Sequence, residues 1–434
     1  MCPASLIPRK DYKIVMYKKT TLTNGITVVT ESMPYFPTAS LGLWLKTGGR
    51  YENEANNGIS HFIEHMLFKG TSKRTAFDIA KEIDAVGGTL NAFTGKEYTC
   101  LYARTLRKDM DLALDVLSDM YKHSLFMEED IEREKSVILQ EVKMVEDNPE
   151  EYIYDMFNAS YFNGHPLGLP ILGKEENIER FTKDMLVAHL RKHYSPDNLI
   201  ITATGRINHD RFADRVEKLF GDVKRQGVLD TSLGEAIPHK KIDVYERDLE
   251  HIYLCIGTKG VSQVDNKRYA LYALNAVMGG SMSSHLFQDV REKRGLVYNI
   301  YSYVNCYYDT GTFGISTSTS QESLEEVLTL VKEEINRIKN HGITENELAF
   351  SKEHIKGNLF ISLESSEARM GRLAKNEVYF GGYIPLKETI REIDRIKKSQ
   401  VDAIAKDIFE NSQDLPITIL GKIDKDNIER LWKS

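Results

Sequence analysis

The chain has 434 residues, 41% hydrophobic and 28% charged, with a formal net charge of −7. That length exceeds one ordinary core and points to two to four globular domains. The mild negative charge without an extended Lys/Arg patch gives no basis for nucleic-acid binding, and no run approaches 18 apolar residues, so no membrane span is expected.

Residues 1–20 are polar and lysine-rich with no apolar h-region, so no signal peptide is expected and the expected location is cytoplasmic. Cys2, Cys100, Cys255 and Cys306 lie far apart. That spacing suits neither a disulfide framework nor a thiolate metal site, and it fits a reducing compartment. Residues 41–46 read as a strand. Then comes His61-Phe62-Ile63-Glu64-His65. On a helix, residues i and i+4 share a face, so both imidazoles can address one zinc ion at about 2.0–2.1 Å. Glu64, on the edge of that face, can reach a water beside the ion without ligating the metal. This H-x-x-E-H order reverses the commoner H-E-x-x-H of zinc hydrolases.

Residues 87–99 carry strand residues flanked by glycine and read as a hairpin edge, of the kind that can also take an extended peptide by β-augmentation. Residues 128–147 read as a helix whose buried stripe is expected to include Ile131, Val137, Ile138, Val142 and Val145. Glu134 and Glu141 fall along that stripe, two turns apart, where a carboxylate is costly unless paired or metal-bound. A catalytic zinc takes three protein ligands plus water. One of these glutamates would therefore complete the set, and the other could hydrogen-bond a ligand histidine.

The chain then repeats. Ile201-Thr-Ala-Thr-Gly205-Arg-Ile-Asn208 is matched in kind by Ile417-Thr-Ile-Leu-Gly421-Lys-Ile-Asp424, half a chain further on. Amphipathic helices over 176–194 and 387–409 lead into these strands. Further back, helices over 107–123 and 323–339 are separated by the same offset. Strand-like segments at 41–46 and 100–106 open the first half, and those at 252–257 and 299–319 open the second. The expected fold is α+β: two homologous domains from an internal duplication, each a mostly antiparallel sheet with helices packed on one face. The expected domains are 1–223 and 242–434, joined by an aperiodic linker at 224–241 rich in Gly, Asp, Ser and Pro. The second half has no H-x-x-E-H; the same offset carries His65 onto Ser281.

The segment Gly58-Ile-Ser-His61-Phe-Ile-Glu64-His65-Met-Leu-Phe-Lys-Gly70-Thr71 resembles the active-site motif of the pitrilysin/insulinase-type zinc peptidases, the family of mitochondrial processing peptidase and its bacterial relatives. The resemblance covers essentially the whole chain, duplication included. It implies a zinc endopeptidase with one zinc per chain, His61, His65 and Glu141 as ligands, and Glu64 as general base. Glu141 follows His65 at the spacing of the family's third ligand. Glu134 takes the place of the family's additional acidic residue. Asn91 and Ala92 match the pair that contacts substrate backbone. Arg291 and Tyr298, seven residues apart, match the Arg/Tyr substrate clamp. The implied partners are extended peptides and a second copy of the chain, since one chain carries both motifs and a homodimer would be self-sufficient. A closed chamber between copies would favour short or unfolded peptides. Processing of leader or presequence peptides is the alternative within the same chemistry. A non-catalytic subunit of a heterodimer is a third reading, against which all three ligands and the base are present.

Overall fold

The computed structural model describes residues 16–225, 234, 236–423 and 425–433, and in it the apolar runs form two sheets. β1 (Met16–Thr21), β2 (Thr27–Ser32), β3 (Thr38–Leu45), β4 (Thr89–Thr94), β5 (Thr99–Leu106) and β6 (Leu199–Gly205) make the first, in the order β1-β2-β6-β3-β5-β4. β7 (Ile242–Glu246), β8 (Ile252–Lys259), β9 (Val297–Cys306), β10 (Gly311–Thr319) and β11 (Ile417–Gly421) make the second, in the order β7-β11-β8-β10-β9. Without β1, the two orders are the same. Each contains one parallel pair at the same place, β2 with β6 and β7 with β11, and is otherwise antiparallel. The duplication read from two strand ends is therefore a duplication of whole topology.

In the first half the helices are α1 (Ile59–Leu67), α2 (Ala76–Asp84), α3 (Met110–His123), α4 (Glu128–Glu146), α5 (Pro149–Tyr161), α6 (Glu175–Arg180), α7 (Lys183–His193) and α8 (His209–Phe220). In the second they are α9 (Arg268–Met278), α10 (Leu324–His341), α11 (Glu345–Ser362), α12 (Ser366–Phe380), α13 (Leu386–Arg395), α14 (Lys398–Ile408) and α15 (Lys425–Lys433). The segments 176–194 and 387–409, each expected as one helix, are two. Thr182 caps α7 by accepting from the Met185 N–H, and the same break recurs between α13 and α14. Most of the expected linker, 226–233 and 235, lies outside the described residues, as do residues 1–15.

Strand alternation gives each sheet two faces. On one face of the first sheet Leu41, Leu43, Leu101 and Ile201 pack with Phe62 and Met66 of α1 and Leu114 and Leu117 of α3. Val29, Trp44, Cys100 and Ile200 point the other way, and α12, from the second half, covers them with Met370, Leu373 and Ala374. The exchange is reciprocal: α5, from the first half, lays Ile153, Phe157 and Tyr161 on Cys255 and Leu420 of the second sheet. α5 begins at Pro149 and α12 at Ser366, half a chain apart, and each is the other's counterpart. Fully burying each large apolar side chain stabilises by about 1.5–3 kcal/mol, so the exchanged helices hold the halves together. Periodicity alone does not reveal this second layer, because a helix covering a distant sheet has the same stripe as one covering its own.

Among the described residues, no helix is long and apolar enough to cross a membrane.

Candidate active site

α1 opens at Gly58, whose φ of +94° favours glycine, and a Cβ there would lie 2.6 Å from the Gly173 Cα. Its cap comes from upstream. The buried Glu52 carboxylate accepts from Gly58 N and Ser60 N, each at 2.8 Å, and from Asn57 Nδ2 at 3.1 Å. It satisfies orphan N–H groups and meets the positive end of the helix dipole, although burial raises its pKa. Sequence reasoning missed Glu52, which sits in an irregular loop where no periodicity marks it.

α1 packs on α4. His61 Nε2 lies 3.8 Å and His65 Nε2 3.6 Å from Glu141 Oε2, and the ligand-type atoms of the three residues all lie within 4.8 Å of one another. An ion held at about 2.0–2.1 Å in a tetrahedron has ligand-to-ligand edges of roughly 3.3 Å, so the two His–Glu141 edges lie within about half an ångström of that spacing. His61 is 7% exposed. Its Nδ1 is buried without a hydrogen-bond partner, and its Nε2 is too far from Glu141 to form one. Nε2, not the buried Nδ1, is the nitrogen turned toward Glu141, and two imidazoles with a carboxylate are a donor set zinc takes. Burial, and then the charge of His65, push the His61 pKa down to about 3, so the ring stays neutral as a ligand must.

His65 Nδ1 lies 3.0 Å from Glu134 Oε2, and Lys69 Nζ pairs with Glu134 Oε1 at 2.6 Å. Glu134, 2% exposed, thus fixes the ring and leaves Nε2 turned toward Glu141. The buried line of α4 is narrower than its sequence suggests: Ile131, Glu134 and Ile138 are buried, Val137 is exposed, and the Glu141 side chain is 42% exposed. Glu141 faces the open space before α1, not the core. Glu64 is buried, and its Oε2 accepts from Thr94 Oγ1 at 2.5 Å. Burial raises its pKa, with the Thr94 hydrogen bond working against the rise.

Asn91 and Ala92 sit on β4, the terminal strand of its sheet. Asn91 is exposed, Ala92 is half-buried against the first core, and Asn91 Oδ1 accepts from Ala92 N at 2.8 Å. Alternation turns Ala92 and Thr94 toward α1 and Asn91 and Phe93 away from it.

Arg291 lies on a π-helical turn, Phe287–Glu292, and Tyr298 near the start of β9, the terminal strand of the second sheet. Arg291 Nε donates to the Tyr298 carbonyl at 2.8 Å, its guanidinium lies 4.7 Å from the Phe287 ring centroid, and Tyr298 is 85% exposed. The fold brings these two together. It does not bring them to His61, His65 and Glu141: among the described residues no hydrogen bond, ion pair or ring contact joins the two groups.

α9 holds the place of α1 in the second half, and its sequence RYALYALNAVM contains no His, Asp or Glu. Ser281 lies past its end, so the constant offset breaks down there. α11, beginning at Glu345, is the counterpart of α4, beginning at Glu128, and it has Ser351 and Asn358 where α4 has Glu134 and Glu141.

Residues 27–175 match the model of the insulinase family (peptidase family M16), and residues 180–354 match that of the peptidase M16 inactive domain. A Bacillus subtilis protein named as the uncharacterized zinc protease YmxG is 41% identical over 394 residues, covering 91% of this chain and 96% of its own. An uncharacterized zinc protease of Streptomyces coelicolor is 35% identical over 431 residues, covering 97% and 93%. Among solved structures, a protease from Helicobacter pylori has the same fold, with a TM-score of 0.84 at 22% identity, covering 94% of this chain and 99% of its own.

Proposed function

The chain belongs to the insulinase family of peptidases, family M16, and from that premise we propose that it is a zinc-dependent endopeptidase cleaving short or unfolded peptides, with one zinc per chain. The observation that carries the reading is the convergence of His61, His65 and Glu141 on one point beside the buried Glu64. When bound, zinc would supply Lewis acidity to the scissile carbonyl and acidify the attacking water toward a pKa of about 7. Glu64 then takes the water's proton and returns it to the leaving amine, while Thr94 holds the carboxylate in place. The β4 edge takes the extended peptide as an added strand beside Asn91 and Ala92. Arg291 and Tyr298 donate to substrate carbonyls, Tyr298 to the oxygen that gains charge during attack.

That last role falls to a second copy. The β9–β10 turn at Tyr308 touches Glu97, in the turn that follows Thr94, so this end of β9 lies near the Glu64 side of the first half. Tyr298 lies ten residues up the strand, about 30 Å away at 3.3 Å per residue. Among the described residues Arg291 and Tyr298 make no hydrogen bond, ion pair or ring contact with His61, His65 or Glu141 of their own chain, which supports a homodimer in which each second half closes over the other copy's site. The division into a zinc-holding domain (1–223) and a clamping domain (242–434) is supported by α8 ending at Phe220 and β7 beginning at Ile242. A cytoplasmic location fits the sequence.

Cleavage of a quenched fluorescent peptide tests the reading. Chelator should abolish it and added zinc restore it; chelator-insensitive cleavage would overturn the assignment. Sedimentation should give an active dimer, and a stable active monomer would overturn the shared site.

A further inference from the structure

We infer that Arg50, Glu97 and Asp309 form a positioning network that pins the two edge hairpins tip to tip and so sets where Arg291 and Tyr298 can act. The inference rests on the peptidase reading above and adds residues to it.

Arg50 is 1% exposed and bridges the halves. Its Nη1 donates to Glu97 Oε1 at 2.6 Å, and its Nη2 donates to both carboxylate oxygens of Asp309 at 2.6 Å. Glu97 occupies the turn between β4 and β5, and Asp309 the turn between β9 and β10. The Glu97 carboxylate also accepts from the Tyr308 N–H at 3.0 and 3.1 Å and from the Tyr379 hydroxyl of α12 at 2.8 Å. Two backbone bonds, Gly49 N to Gly95 O and Arg50 N to Lys96 O, fix the same loop to the β4–β5 turn. Two residues after Arg50 comes Glu52, which caps α1. One node therefore holds the helix of His61 and His65, the hairpin of Asn91 and Ala92, and the hairpin of Tyr298.

Adhesion alone does not account for this chemistry. The exchanged helices already join the halves through apolar contact, and desolvating charged groups costs more than apolar packing of the same volume. Charged hydrogen bonds add direction: a fork meeting two carboxylates fixes one angle between hairpins. The angle matters because β9 is a lever. With an arm of about 30 Å, a rotation of roughly 5° about the tip moves Tyr298 by about 2–3 Å. A misplacement of about 1 Å can cost a catalytic group up to a hundredfold in rate.

The test is a double-mutant cycle on the full-length protein, read with the fluorescent peptide, zinc content and sedimentation. Asp309 is the position to change, because Arg50 then keeps Glu97, whereas replacing Arg50 would strand Glu97 in the interior. Asp309→Ala should lower kcat about tenfold with zinc content and dimer intact, and Asp309→Glu should recover most of the loss. In a Tyr298→Phe background, Asp309→Ala should cost clearly less than in the wild type, since only Arg291 is then left to be misplaced. Tyr17→Phe removes an inter-half bond to Glu377 away from the hairpin tips and should leave kcat unchanged. Multiplying effects of Asp309→Ala and Tyr298→Phe, or a Tyr17→Phe loss equal to that of Asp309→Ala, would overturn the network's role. Wild-type protein without chelator-sensitive cleavage would instead remove the peptidase reading itself.

Discussion

In the first half, the helix after the third strand carries His61, Glu64 and His65, and the long helix packed on it supplies Glu134 and Glu141. In the second half, the helix in the same topological place is apolar, and its long neighbour offers Ser351 and Asn358 at the matching positions. The sheets behind them share strand order, the single parallel pair and the exchanged covering helix. Alternating apolar strands and amphipathic helices preserve the topology, so side chains on the open face of α1 and α4 can change without altering it. The halves also use buried histidine differently. His189 and His193 of α7 are stacked at 4.2 Å and packed away, and burial brings them down to about 3 and about 4. His285 stands between Glu334 at 2.7 Å and Glu347 at 2.6 Å; burial alone would lower its pKa, but Glu334, followed by Glu347, raises it overall.

The sharpest break of this comparison is chemical. Glu141→Gln should lower zinc content and cut kcat/KM by roughly 10³-fold or more, given the several kcal/mol a bound ion contributes to charge stabilisation. Asn358→Ala, at the matching place on α11, should change neither. Equal effects at the two positions would mean the second half also holds the ion.

The next test sets the halves against each other in pH. His189 and His193 stabilise the fold while neutral; that contribution is complete above their unfolded pKa of about 6.5 and is lost as pH falls toward 4. For His285, whose pKa is raised, the contribution is complete below about 6.5 and is lost as pH rises through the folded value. Hydrogen exchange, corrected for intrinsic rates, should show α7 losing protection from pH 7 to 5 and the start of α11 losing it from pH 7 to 9. Loss in the same direction in both places would contradict the assigned environments.

A smaller effect separates the ligands from their support. Glu134→Ala should weaken zinc binding by about 10–100-fold by freeing the His65 ring, without removing a ligand. Unchanged zinc affinity would mean that Glu134 holds only Lys69.

Much of this is legible in the sequence, and for a common reason. H-x-x-E-H and the α4 glutamates are helical spacings, and the duplication shows wherever apolar period and turn residues coincide, as at Gly205 and Gly421. The features that escape sequence reasoning depend on distant chain segments meeting. Glu52 reaches Gly58 from an irregular loop, Arg50 meets Asp309 from the other half of the chain, and α5 and α12 change sheets. Val137 fits a buried stripe by its spacing, yet only the packing partner decides how wide that stripe is.

The account turns on Glu64 being the base and not a ligand. Glu64→Gln protein, analysed for metal and assayed on the same peptide, tests that most directly. The prediction is one zinc per chain, as in the wild type, with cleavage lowered by about 10²–10⁴-fold; loss of the zinc, or cleavage at the wild-type rate, would contradict it.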